Sequence, residues 1–150
     1  MNNVGKSMLA GFVATVVLSV LMVIKMMMGV MPDLNAIKMM TTMAHGMMGM
    51  PAVPIVGWMM HFMIGTVLWG VLFALIGKSL PGGGYVSKGL SFGVLAWVLM
   101  MVMVMPMAGT GFFGLSLGMM APVMTLMLHL VYGAVLGGVY SKLLGSASDS

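Results

Sequence analysis

Three histidines have the clearest capacity for chemistry in this sequence, because neutral imidazole can bind metal ions, haem iron and protons. Two of them, His61 and His129, begin the similar phrases HFMIGTVLWG (61–70) and HLVYGAVLGG (129–138). Histidine, glycine, valine, leucine and glycine recur at the same five offsets in both phrases. We therefore predict that His61 and His129 occupy equivalent positions in a repeated structure and serve one site.

The repeated phrase belongs to a longer internal repeat. Residues 54–77 align without gaps to residues 122–145, with ten identical positions that include a proline, the histidine and three glycines. A weaker repeat relates residues 6–20 to residues 88–102 through the shared pattern K-x4-G-x2-A-x-V-x3-V. Because two helices per repeat preserve orientation, we predict two hairpins related by a pseudo-two-fold axis along the membrane normal.

Hydropathy predicts the elements that position these histidines. Hydrophobic residues make up 61% of the chain and charged residues 5%, and the mean hydropathy is +1.17. A soluble domain normally carries several times more charge than this. Four continuous apolar stretches have about the length that a helix needs to cross the hydrocarbon, at about 7–30, 55–77, 89–108 and 120–142. We predict an all-α membrane protein whose single domain, residues 1–150, has four transmembrane helices formed by a duplicated two-helix hairpin.

The connection after the first span is long enough to hold an element of its own. Apolar residues at helical spacing predict a short amphipathic helix at about 34–45, on the outer membrane surface, with Asp33 as its N-cap. The third histidine, His45, lies at the far end of this helix. It is therefore expected on the same side as the paired histidines, where it can cover them.

The depth of the paired histidines follows from their distance to a proline. Each histidine lies seven residues after the proline that begins its helix, which places it roughly 10 Å inward at 1.5 Å per residue. Both are expected at one level in the outer leaflet. Gly65, Gly133 and Gly137 share the face of these histidines and allow close approach of another backbone or of a flat ligand.

Three interpretations of the pair remain open from the sequence. Each histidine can be structural and bond across helices, the two can ligate haem b or a metal ion, or they can transfer protons or hold a small polar substrate. Copper is the candidate metal because thioethers bind Cu(I) and the chain has 25 methionines. Met59 and Met127 are the methionine ligands considered with His61 and His129. Methionine occurs in every span, so its use as a leucine-like apolar side chain is the favoured interpretation.

Charge and missing residue types exclude several functions. The net charge of +4 comes from six scattered lysines and two aspartates, which form no basic stripe for nucleic acid. There is no cysteine, which excludes thiolate chemistry and disulfides. We therefore predict a non-enzymatic membrane binding or accessory subunit, with other membrane subunits or further copies of the chain as partners. The alternatives are a redox carrier holding haem b or copper, and a small transporter that acts as an oligomer.

The side of the membrane is predicted from the lysines. Four lysines flank the ends of the spans that share a side with both termini: Lys6, Lys78, Lys88 and Lys142. Only Lys25 and Lys38 fall on the other side. The excess of positive charge favours termini in the cytoplasm.

Three stretches together resemble a known group of proteins: KSMLAGFVATVVLSVLMVIKMMMGVMPDL, HFMIGTVLWGVLFAL and APVMTLMLHLVYGAVLGGVY. They are similar to small four-span bacterial inner-membrane proteins of unknown function, over nearly the whole chain. The resemblance implies a location in the inner membrane of a Gram-negative bacterium. It implies no activity, substrate or site residue.

Overall fold

A computed structural model describes residues 2–32 and 34–148, with side chains as far as residue 145. Every regular element in that part of the chain is helical. The main helices are α1 (Asn3–Met27), α2 (Ala36–Met48), α3 (Pro54–Ser79), α4 (Tyr85–Met107) and α5 (Met120–Ser148). Helices α1, α3, α4 and α5 are each long and apolar enough to cross a membrane. The predicted all-α fold with four spans is therefore confirmed, with bounds that differ by a few residues.

The four membrane helices run in alternate directions, so the bundle has two unlike ends. Ser7 of α1 bonds to Gly70 of α3 near the start of α1, and Ser19 contacts His61 further along, which makes the two helices antiparallel. Helix α2 and a short 3-10 turn, Phe112–Leu117, lie at what we name the α2 end. We name the opposite end the terminal end. It contains the start of α1, the end of α5 and the 80–84 connection.

Helix α1 packs on α3 through a stripe of small residues at every fourth position: Ser7, Gly11, Thr15 and Ser19. The Ser7 hydroxyl donates to the Gly70 carbonyl at 2.6 Å. A Cβ at Gly11 would overlap the Gly65 carbonyl oxygen. Inside a membrane, helices associate through this kind of close packing and bonding, because lipid tails are as apolar as the side chains.

Helix α4 packs on α5 even more closely, through glycines on both helices. A Cβ at Gly133 would overlap the Gly89 carbonyl, and a Cβ at Gly137 would overlap the Tyr85 carbonyl. The surface beside the predicted glycines Gly133 and Gly137 is thus occupied by the backbone of α4.

The two hairpins differ in register where the repeats are aligned. Gly11 and its repeat counterpart Gly93 both face a carbonyl of the partner helix. For Gly11 this carbonyl is that of Gly65, whereas for Gly93 it is that of His129, one turn before the counterpart of Gly65. The pseudo-two-fold axis remains a prediction.

Helix α2 is held against α3 and begins later than its predicted start. Asn35 is its N-cap, since the Asn35 side chain accepts from the Lys38 N–H at 3.1 Å. The predicted cap, Asp33, lies outside the described residues. Gly57 of α3 has no Cβ, which leaves room for the Ile37 carbonyl and the Thr41 hydroxyl of α2.

A buried aromatic cluster fills the terminal half of the bundle. Phe73 packs edge-on against Phe92 and Tyr140, with ring centroids 5.3 and 5.5 Å apart. Trp69 packs against Phe92 in the same way at 5.8 Å. Phe92 and Phe73 are 0% and 1% exposed. This half therefore has the close packing of a protein interior.

Candidate functional site: a cavity between two histidines

A cavity of about 100 Å³ occupies the α2 half of the bundle and is lined by all five main helices. His61 of α3 and His129 of α5 both line it, so the two repeated histidines lie on one cavity. On α1 its wall extends from Thr15 to Lys25, which corresponds to about 15 Å along a helix. Trp69 and Tyr132 form its deepest part. The cavity thus runs from the α2 end to the aromatic cluster.

The hydrogen bonds of Ser19 define how His61 is protonated. The Ser19 hydroxyl lies 2.6 Å from the Thr15 carbonyl, which can only accept, so Ser19 donates its one hydrogen there. The contact of 3.1 Å between Ser19 Oγ and His61 Nε2 must then have the imidazole N–H as donor. In the neutral ring, Nδ1 of His61 consequently carries a lone pair.

His129 has the opposite tautomer. Its Nδ1 lies 2.7 Å from the carbonyl of Thr125, one turn earlier on α5. A carbonyl only accepts, so Nδ1 carries the hydrogen. The lone pair of the neutral His129 ring is therefore on Nε2.

Each histidine ring keeps one nitrogen without a hydrogen-bond partner among the described residues. In the described part of the chain, Thr66 Oγ1 is the one fully enclosed side-chain nitrogen or oxygen without a hydrogen-bond partner. Nδ1 of His61 and Nε2 of His129 have no partner among the described residues, and hence they are not enclosed. Both histidines line the cavity, and each keeps one ring nitrogen that is neither enclosed nor hydrogen-bonded within the described residues.

Two π-helical segments shape the walls and were not predicted from the sequence. Residues Ile64–Leu68 of α3 and Met100–Val104 of α4 form single π turns. In the first, the Trp69 N–H bonds to the Ile64 carbonyl, five residues back. The Gly65 carbonyl accepts the Tyr132 hydroxyl of α5, which joins α3 to α5 at the floor of the cavity. Such turns are frequently found at functional sites.

A sequence signal exists for one of these two turns. Pro106 follows the π segment of α4 and has no N–H to donate to the carbonyl four residues earlier, so a break in regular bonding is expected there. The α3 segment contains no proline. Within it, the Gly65 carbonyl accepts from Tyr132, which is 67 residues away in sequence, and the local sequence does not reveal such a contact.

Seven methionines line the cavity: Met22, Met26, Met39, Met40, Met100, Met101 and Met105. The methionines considered from the sequence, Met59 and Met127, are not among its lining residues. They are 59% and 58% exposed, on faces of α3 and α5 that point away from the cavity. Methionine thioethers do line the cavity together with the histidines, but they belong to residues other than Met59 and Met127.

His45 lies outside the cavity. Its ring is exposed, and Nδ1 lies 2.9 Å from the Met50 carbonyl, just beyond the end of α2. Lys25 and Asn35 line the cavity instead, and the Lys25 ammonium donates to the Met31 and Leu34 carbonyls at 2.9 and 2.7 Å. These hydrogen bonds stabilise the position of the connection between α1 and α2 beside the cavity.

Comparison with known proteins places the chain in a family. The sequence pattern of one family matches residues 1–149. The chain belongs to DUF6789, a family of unknown function. No curated protein and no solved structure matches it. Membership in DUF6789 and four membrane-crossing helices agree with the coarser part of the resemblance, a small membrane protein of unknown function.

Proposed function

We propose that this protein is a non-enzymatic membrane binding subunit that holds one small ligand between His61 and His129. The observation that carries the proposal is the pair of unused imidazole lone pairs on one cavity. Ionisable residues inside a membrane are costly and are usually retained for function. Each ring is held by one hydrogen bond and leaves its second nitrogen available to a ligand.

The size of the cavity restricts the ligand. Pockets for drug-sized molecules have volumes of roughly 300–1,000 Å³, whereas this cavity has about 100 Å³. Haem is at least as large as such molecules, so its binding is not supported. An ion or a few water molecules fit the space.

A transporter is less well supported than a binding subunit. The aromatic cluster of Trp69, Phe73 and Phe92 fills the space between the cavity and the terminal end. A ligand that enters from the α2 end therefore meets a packed floor. The exposed apolar faces of the spans suit contact with lipid, with other membrane subunits or with further copies of the chain.

Cysteine accessibility tests this proposal, because the chain has no cysteine of its own. Leu128→Cys places a thiol on the cavity wall beside His129. Leu136→Cys, two turns further on α5, places one in the packed half, where Leu136 is 0% exposed. We expect a small methanethiosulfonate to modify the first variant from the α2 side and to leave the second unmodified. Equal protection of both thiols would refute an open ligand cavity.

We further propose that the protein lies in the bacterial inner membrane with both termini in the cytoplasm. The lysine distribution supports this orientation. Ser87→Cys, near the terminal end, and Thr42→Cys, on α2, both replace exposed residues. In intact cells an impermeant thiol reagent is expected to label only the Thr42→Cys variant. Labelling of Ser87→Cys alone would reverse the proposed orientation.

A further inference from the structure

We infer that the cavity binds a soft monovalent metal ion, Cu(I), through Nδ1 of His61, Nε2 of His129 and a methionine thioether. The inference rests on the proposed function, since it names the ligand of that site. Neutral imidazole and thioether are both established ligands for Cu(I).

The distribution of methionine along the chain is the first support. Of the 25 methionines, only Met1 and Met8 precede residue 22; none lies between residues 64 and 99, and none follows residue 127. Residues 22–63 and 100–127 belong to the α2 half of the bundle, which also contains His129. If methionine only replaced leucine as an apolar side chain, the terminal half would need it equally. Its confinement to the half with the histidines indicates a use for the sulfur.

The charges around the cavity select an ion of low charge. No carboxylate lines the cavity among the described residues, and Lys25 contributes a positive charge at its rim. Zn²⁺ normally takes at least three imidazole, thiolate or carboxylate ligands, of which the described cavity lining offers two imidazoles, and Ca²⁺ and Mg²⁺ require oxygen ligands. With neutral donors and a nearby ammonium, a monovalent soft ion has the smallest electrostatic cost.

Thr125 contacts both Met101 and the His129 ring. The Thr125 carbonyl accepts from His129, and the Thr125 hydroxyl lies 3.6 Å from Met101 Sδ. That hydroxyl has one hydrogen, and the Ala121 carbonyl is nearer at 2.7 Å. The sulfur of Met101 therefore keeps its lone pairs. Met101 is 0% exposed and forms part of the cavity wall, and it is the thioether that we assign to the site.

Exposed methionines at the α2 end offer a path to the cavity. Met27 and Met119 are 82% and 85% exposed, and Met26 lies on both the surface and the cavity wall. Thioethers at the surface can bind Cu(I) before it enters the cavity.

The test uses the purified full-length protein in mild detergent, loaded without oxygen with Cu(I) or with Ag(I) as a redox-inert substitute. A chromogenic Cu(I) chelator is then titrated to measure affinity. Wild type is expected to retain one ion per chain. His61→Ala and His129→Ala should weaken binding by about 100-fold, because losing a ligand costs at least as much as losing its supporting bond, about 10–100-fold. Met101→Leu removes the thioether ligand and should weaken Cu(I) binding about tenfold, the lower end of the same range.

Surface methionines provide the matched control. Met59→Leu and Met127→Leu make the same chemical change at exposed positions and should keep the wild-type affinity. Gel filtration tests whether each variant is folded. If an alanine variant is unstable, His61→Asn and His129→Gln replace it in the binding measurement.

Equal affinity in wild type and the double histidine variant, or tighter binding of Zn²⁺ than of Ag(I), overturns the inference. If Leu128→Cys reacts but no metal is retained, the ligand cavity stands and the assignment to Cu(I) fails. If Leu128→Cys is protected, the proposed function fails.

Discussion

The two halves of the bundle use the same four membrane helices in different ways. In the terminal half, Phe73, Phe92 and Tyr140 interlock and α4 contacts α5 backbone to backbone. In the α2 half, the helices enclose a cavity bordered by π turns, imidazoles and flexible methionines. The close packing of the terminal half fixes the helices, so that two histidines far apart in sequence line one cavity. Stability and ligand binding should therefore respond to different substitutions.

The largest effect is expected from the aromatic cluster. Phe92→Ala removes a ring that is 0% exposed and should lower the free energy of unfolding by about 3–5 kcal/mol. Phe112→Ala, at a position 63% exposed at the α2 end, should change it little. Unfolding of both variants in detergent, followed by circular dichroism, measures the difference. Similar losses for both would contradict the contrast between the halves.

Replacing an alanine by leucine should lower the free energy of unfolding more in the packed half than in the α2 half, by less than the loss of Phe92. Ala96 is 0% exposed in the packed half, so Ala96→Leu should cost about 1–3 kcal/mol through overpacking. Ala36 lines the cavity, and Ala36→Leu can extend into open space at little cost. The same unfolding measurement compares the two. A cost for Ala36→Leu as large as that for Ala96→Leu would mean that the cavity wall is as tightly packed as the core.

The paired histidines should be coupled in the presence of ligand. If one site needs both rings, His61→Ala and His129→Ala each lose it, and the double variant is little worse than either. The expected coupling in the ligand-dependent stability is about 0.5–3 kcal/mol, whereas distant independent sites add to within about 0.5 kcal/mol. A thermal-shift double-mutant cycle with Ag(I) measures it. Additive losses would indicate two separate structural histidines.

The smallest effect concerns the tautomer of His61. Ser19→Ala removes the acceptor for the Nε2 hydrogen and should cost about 0.5–1.5 kcal/mol. Nitrogen-15 NMR of labelled histidine should show hydrogen on Nε2 of His61 and on Nδ1 of His129 in the wild type. In Ser19→Ala the His61 signals should move towards a mixture of tautomers, and those of His129 should stay unchanged. The same tautomer at both histidines in the wild type would remove the basis of the site.

The candidate site was only partly predictable. The repeat of His61 as His129 was visible in the sequence because proline, histidine and glycine at fixed spacing seldom recur by chance. The confinement of methionine was equally visible, but its meaning depends on knowing that residues 22–63 and 100–127 meet at one end of the bundle. Met101 could not be selected over Met59 or Met127, since the choice depends on which helix faces turn inward.

The sequence by itself determined the four membrane helices, because a long apolar stretch is stable in lipid and a helix satisfies all of its own backbone hydrogen bonds there. It also determined that His61 and His129 each lie seven residues after a proline, although α5 begins at Met120, two residues before its proline, whereas α3 begins at Pro54 itself. The tertiary structure decided which surfaces meet. Gly65 bonds to Tyr132 across 67 residues, and Gly133 packs on Gly89 instead of on a ligand. Such contacts depend on the rotation and register of whole helices, which apolar composition leaves open because nearly every face of these helices is hydrophobic.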